Sequence, residues 1–234
     1  MRTTRLKSFF TLTLILTSCA IKERQEIKTT AVREESWGGI LYQPTTLTKS
    51  AALIIASADG QQHERWSPFC QKIAARGYSV MIVKAGELEP AAIELPSAAA
   101  RIRAATDYVL RLPEIKSPVV VMGENQSGIA AVMAAAEDSV IAGVITFDTF
   151  FNGHSTDILQ ALEQNIKTPL LIISASDDPL VPQVSIKMFY EKLKNPKKLV
   201  WLATKEHGAD ALRTDMEPIV RRVTLMFLDK VFKK

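Results

Sequence analysis

From residue 38 onward the chain alternates short apolar, β-rich runs with stretches of helical length, and nothing else in it limits the fold so strongly. The runs are GGILYQP (38–44), AALIIAS (51–57), YSVMIVKA (78–85), PVVVMG (118–123), IAGVITFD (141–148), PLLIISA (169–175) and KLVWLAT (198–204). Amphipathic or alanine-rich segments lie between and after them, at 64–76, 97–112, 126–137, 156–164, 183–194 and 209–232. Several of the runs are apolar on both faces, as strands of a parallel sheet covered by helices on each side must be. The pattern predicts an α/β fold: a doubly wound, mostly parallel sheet of about seven strands with helices on both faces. The connections are short and leave little room for a cap domain.

The N-terminus reads differently. MRTTRLKSFFTLTLILTSCA has a basic start (Arg2, Arg5, Lys7), a short apolar stretch and small residues before a cysteine. That stretch is too short to span a bilayer and has the order of a secretory signal. LTSC, residues 16–19, resembles the lipobox of bacterial lipoproteins, which implies a signal peptide over 1–18 and lipidation of Cys19. Ala20 stands where inner-membrane retention would need aspartate, so the expected location is the bacterial cell envelope, lipid-anchored at the outer membrane and facing the periplasm. Residues 19–35 are polar and mixed in charge and are expected to be a tether to a domain spanning 36–234. The whole chain has 29 basic and 25 acidic side chains; without the leader's three basic residues, 26 face 25, a net charge of +1. That balance offers no basic face for nucleic acid. Cys70 would then be the only remaining thiol, and its helical spacing with Phe69 and Ile73 reads as a small buried hydrophobe.

In a doubly wound sheet, ligands bind at the carboxyl ends of the strands. Those ends carry GENQSG (123–128) between a strand and a helix, SDDPLVP (176–182) after the sixth run, and KEHGAD (205–210) after the seventh. In this order and spacing they resemble the nucleophile elbow, acid loop and histidine loop of the α/β-hydrolase superfamily. The resemblance implies Asp178 as the acid, His207 as the base and a crevice lined by Ser57, Gly60, His63, Gln126 and Asp148. It also places Asn125 where that superfamily presents its nucleophile. A narrower likeness, carried by LIIASADGQQHERW, AAARIRAATDYVL and RRVTLMFLDK, is to uncharacterised bacterial envelope proteins of this superfamily whose elbow often lacks the serine. No metal-ligand spacing is present, and no G-x-G-x-x-G follows a strand, so neither a metal nor a dinucleotide cofactor is expected.

An amide cannot replace a serine, because its nitrogen is delocalised into the carbonyl and its oxygen has no proton for an imidazole to take. With Asn125 at the apex, the triad is degenerate and the crevice is expected to bind a small ligand or an envelope partner. The alternative is a working esterase, lipase-like or peptidase-like hydrolase in which Ser127 serves as nucleophile with His207 and Asp178. That would need the strand to run on through Glu124, which its charge disfavours. A third route has a His207-activated water converting Asn125 to Asp. Asp148 has two further readings, as a substitute acid and as a cap for the residues after it. His63 also reads as a solvated loop histidine.

Overall fold

The computed structural model describes residues 25–57, 62–85, 94–116, 118–151 and 166–233. The strands are β1 (Ile27–Arg33), β2 (Gly38–Pro44), β3 (Ala52–Ser57), β4 (Ser79–Lys84), β5 (Val119–Glu124), β6 (Ile141–Phe147), β7 (Leu170–Ala175) and β8 (Lys197–Leu202). The helices are α1 (Gln62–Ala74), α2 (Leu95–Leu110), α3 (Gln126–Glu137), α4 (Gln183–Lys192) and α5 (Glu217–Phe232), with a 3₁₀ turn over Gly208–Arg213. The helical stretch expected at 156–164 lies outside the described residues.

One sheet takes all eight strands in the order β1-β2-β4-β3-β5-β6-β7-β8. β2 runs antiparallel to β1 and β4, and every other neighbouring pair is parallel. From β3 the chain winds through α1 to β4 on one side, then crosses back through α2 to β5 on the other. The winding direction reverses there, and such a reversal opens a crevice beyond the carboxyl ends of the strands. Ser57 ends β3 and Glu124 ends β5, so these two residues flank it.

Alternation along the central strands feeds two apolar layers. Ile54 and Ala56 of β3 and Val121 of β5 join Ile102 of α2, Ile129 of α3 and Ile186 of α4. Leu53, Ile55, Val120 and Met122 join Trp66 and Ile73 of α1 and Val220 and Leu228 of α5 on the other face. The doubly wound, mostly parallel sheet is therefore present, with helices on both faces. Cys70 lies fully inside the second layer, where burial pushes its thiol well up.

The eighth strand corrects the expected tether. Residues 27–33 pair along their whole length with β2, from Ile27 opposite Pro44 to Arg33 opposite Gly38. Trp37 ends the turn between them and packs edge-on against Tyr108 of α2, with ring centroids 5.7 Å apart. β1 is a sheet edge, so most of its side chains stay in water and only Val32 is buried. Lysine and threonine suit such an edge and give the strand a polar reading in sequence.

Val32 separates the two readings. Placed in a tether, Val32→Asp is silent; placed in β1, it leaves a carboxylate in the apolar layer. It is expected to destabilise the protein by about 3 kcal/mol, read from urea denaturation.

Candidate active-site crevice

The turn after β5 is built by close approach. At Gly123 a Cβ would lie 2.2 Å from the Ser127 carbonyl oxygen and 2.6 Å from the Gly128 Cα, so no side chain fits. At Gly128 a Cβ would lie 2.0 Å from Thr149 Oγ1. Between them Asn125 takes φ 53° and ψ −128° as the residue that caps α3. A positive φ at a non-glycine residue is strained, by roughly 1–3 kcal/mol, and persists only where the surroundings fix it. Two backbone hydrogen bonds do so here: Asn125 N–H donates to the Phe147 carbonyl (3.0 Å), and Gly128 N–H donates to the Asn125 carbonyl (3.0 Å). Asn125 is exposed at the apex, while Ser127 is fully buried in the first turn of α3. Among the described residues the Ser127 hydroxyl has no hydrogen-bond partner, and no hydrogen bond joins it to His207.

The strand does run on through Glu124, contrary to expectation, and Asn125 still forms the apex. The charge is tolerated because both carboxylate oxygens are used. Trp66 Nε1 donates to Oε2 at 3.1 Å, and Ala209 N–H donates to Oε1 at 2.6 Å.

His207 and Asp178 meet as the sequence predicts. The ring Nδ1 lies 2.6 Å from Asp178 Oδ2, and Leu180 N–H donates to Oδ1 at 2.8 Å. Donation of Nδ1–H to the carboxylate leaves Nε2 as an acceptor. Nε2 is buried and, among the described residues, has no hydrogen-bond partner. Asp148, at the end of β6 with φ 44°, is neither the acid beside the imidazole nor a cap for the residues after it. Its Oδ1 accepts from Ala175 N–H (2.6 Å) and its Oδ2 from Gly208 N–H (2.7 Å).

Residues 207–209 are thus each held by a different buried carboxylate: Asp178 on the His207 ring, Asp148 on Gly208 and Glu124 on Ala209. The middle position must be glycine, since Gly208 has φ 53° and a Cβ there would sit 1.9 Å from Glu124 Oε1. Burial raises the pKa of both Glu124 and Asp148, and the backbone N–H bonds they accept work against that shift.

Of the remaining crevice candidates, Ser57 is buried at the end of β3 and Gln126 is half-buried at the start of α3. His63 falls in the first turn of α1 and its side chain lies outside the described residues, as does Gly60. Asp177 is exposed and accepts from the Ser176 hydroxyl at 2.8 Å, as a solvated loop carboxylate would. Asp148, Asp178 and His207 bring three possible ligand atoms within 4.8 Å of one another. They are a poor cation cage, because the Asp178–His207 contact is a direct 2.6 Å hydrogen bond and both Asp148 oxygens face backbone N–H groups. Sequence reasoning missed Glu124; the signal was one carboxylate between an apolar strand and a helix, with Trp66 able to meet it.

The model of the Dienelactone hydrolase family matches residues 91–208, just over half of the chain. Among solved structures, dienelactone hydrolase from Anabaena variabilis is 18% identical, with a TM-score of 0.68 over 88% of this chain and 99% of that one. Est1E from Butyrivibrio proteoclasticus is 16% identical, with a TM-score of 0.69 over 88% of this chain and 99% of that one. A putative dienelactone hydrolase from Klebsiella pneumoniae is 13% identical, with a TM-score of 0.72 over 87% of this chain and 98% of that one. At these identities the likeness is one of fold. A comparison with curated proteins returns no match.

Glu124→Gln tests the strap on Ala209. The amide oxygen can still accept from Ala209, but its NH₂ then faces the Trp66 N–H, and two donors meet. A loss of about 1–3 kcal/mol is expected by chemical denaturation. The loss should depend on pH. A buried acid with a raised pKa binds its proton more tightly folded than unfolded, so its contribution to stability is full below the ordinary glutamate range and falls as pH rises through the raised value. The stability gap between parent and Glu124→Gln is therefore widest in acid and narrows towards neutral pH.

Proposed function

Since the chain belongs to the dienelactone hydrolase family, we propose that it keeps the acid–histidine pair of a hydrolase and lacks the nucleophile, so that its crevice binds a small ligand or an envelope protein. Position 125 carries this reading. An amide stands at the strained apex, facing water, while the Nε2 of a histidine oriented by Asp178 has no partner among the described residues. A hydroxyl or thiol at that apex would lend its proton to Nε2 during attack; an amide has none to lend. What survives is a set of recognition groups. The imidazole accepts a hydrogen bond through Nε2, and the Asn125 carboxamide both donates and accepts.

The same proposal places the protein in the bacterial envelope, held by a lipid on Cys19 after removal of residues 1–18. LTSC at 16–19, behind a basic and then apolar leader, supports this. Cys19→Ala is expected to move the chain from the membrane fraction to the soluble one, as followed by fractionation and by intact mass.

The purified parent is expected to resist labelling by a fluorophosphonate and to hydrolyse p-nitrophenyl acetate no faster than a His207→Ala control. Asn125→Ser restores a proton that Nε2 can accept, and ester turnover should rise on the order of 100-fold or more, with the gain lost again in Asn125→Ser/His207→Ala. Labelling of the parent that disappears in Ser127→Ala would overturn the proposal and make Ser127 the nucleophile.

A further inference from the structure

A cavity of about 570 Å³ opens at the end of the sheet away from His207. Pro118, Pro169 and Pro196, which directly precede β5, β7 and β8, line its mouth, so it sits at the amino ends of the parallel strands. Its floor includes Ala142 of β6 and Leu171 of β7, and its roof is the last three turns of α5, with Val223, Phe227 and Phe232. Gly143 shapes the roof, since a Cβ there would lie 2.9 Å from the Phe227 ring. The volume is within the roughly 300–1,000 Å³ of small-molecule sites, and such sites combine apolar walls with a few placed polar groups.

The polar groups here are lysines. Lys197 is committed to the end of α4, where its Nζ donates to the Leu193 carbonyl at 2.7 Å. Lys198 and Lys230 also line the cavity, one from β8 and one from α5, and both are exposed. Among the described residues neither has an ion-pair or hydrogen-bond partner, although other cations do, such as Lys49 with Asp229 at 2.5 Å and Lys72 with Glu217 at 3.1 Å. Lys116, Lys167 and Lys194 are exposed in the segments leading into β5, β7 and β8 and add to the positive field at this end. Met226 stands at the rim, 55% exposed, and an unbranched thioether there can fold over a chain lying in the groove.

We propose that this cavity binds a long-chain fatty acid, with the hydrocarbon between α5 and strands β6–β8 and the carboxylate between the ammonium groups of Lys198 and Lys230. The walls suit the chain, and two unpaired cations on one rim suit a single anionic head. A recess between one helix and a sheet admits one chain, whereas a bilayer or a second copy of the protein would require a flat face.

The test is saturable binding of palmitate to the full-length protein, followed by displacement of a fluorescent fatty acid. Hexadecanol, with the chain and no charge, and acetate, with the charge and no chain, serve as comparisons. Palmitate is expected to bind at least 10-fold more tightly than hexadecanol, and acetate not to compete. Lys198→Ala/Lys230→Ala should remove that difference while leaving hexadecanol binding unchanged. Met226→Glu, an exposed position that folding tolerates, should weaken palmitate at least 10-fold by placing a like charge at the rim. Three outcomes would overturn the proposal: palmitate binding unaffected by both variants, binding only to vesicles of anionic phospholipid and not to dispersed palmitate, or a concentration-dependent dimer in size-exclusion chromatography that Met226→Glu dissociates.

Discussion

Three buried carboxylates, delivered by the ends of three adjacent strands, fix three consecutive residues of one loop. Glu124 ends β5, Asp148 follows β6 and Asp178 follows β7, and they hold Ala209, Gly208 and the His207 ring in turn. Taking carboxylates out of water is costly, and burial raises the pKa of Glu124 and Asp148 accordingly. The N–H groups at their oxygens offset much of that cost, and in return the loop inherits the registry of the sheet. Because β5, β6 and β7 are locked by parallel ladders, the three carboxylate side chains that hold the imidazole and its loop start from fixed backbone positions. Asp148 extends the lock one strand further, bridging Ala175 at the end of β7 to Gly208.

The turn at Asn125 separates what the fold needs from what the chemistry needs. A strand entering a helix that must lie back on the same sheet has to reverse sharply, and Gly123 and Gly128 allow the contacts with Ser127, Gly128 and Thr149 that this requires. The apex residue absorbs the remaining strain at φ 53° whatever its side chain. Asparagine tolerates positive φ better than most residues, so the turn can keep its shape when the side chain offers no nucleophile. The Ser127 position shows the same tolerance. At Gly128 the space that a Cβ would take is filled by the Thr149 side chain, and the small Ser127 side chain is fully buried at the preceding position.

The sequence was informative where a residue's neighbours in the chain are also its determinants in space. Seven strands were legible because each is an apolar run, and Asn125, Asp178 and His207 were legible because each follows its strand at a fixed offset. β1 was not, because an edge strand with one buried side chain, Val32, has the composition of a linker. Glu124 was not, because its burial depends on Trp66 and Ala209, which lie 58 and 85 residues away. Asp148 was seen at the crevice, but its two partners come from the following strand and from the histidine loop. The cavity under α5 was invisible for the same reason: its walls are assembled from the starts of β5 to β8 and from the last helix.

Strand direction links the two ends of the molecule. β1 is antiparallel to β2, β2 is antiparallel to β4, and β4 is parallel to β3, so β1 begins at the same end of the sheet as the parallel strands do. The described chain therefore enters, near Gln25, at the cavity end. Only five residues separate Gln25 from Cys19, a reach of about 20 Å at full extension. Under the proposed lipidation of Cys19, that short reach keeps the start of β1 near the bilayer. β1 and β8 are the two outer edges of the sheet, so the start of β1 and the recess between Lys198 and Lys230 share the end at which the parallel strands begin but lie at opposite edges of it.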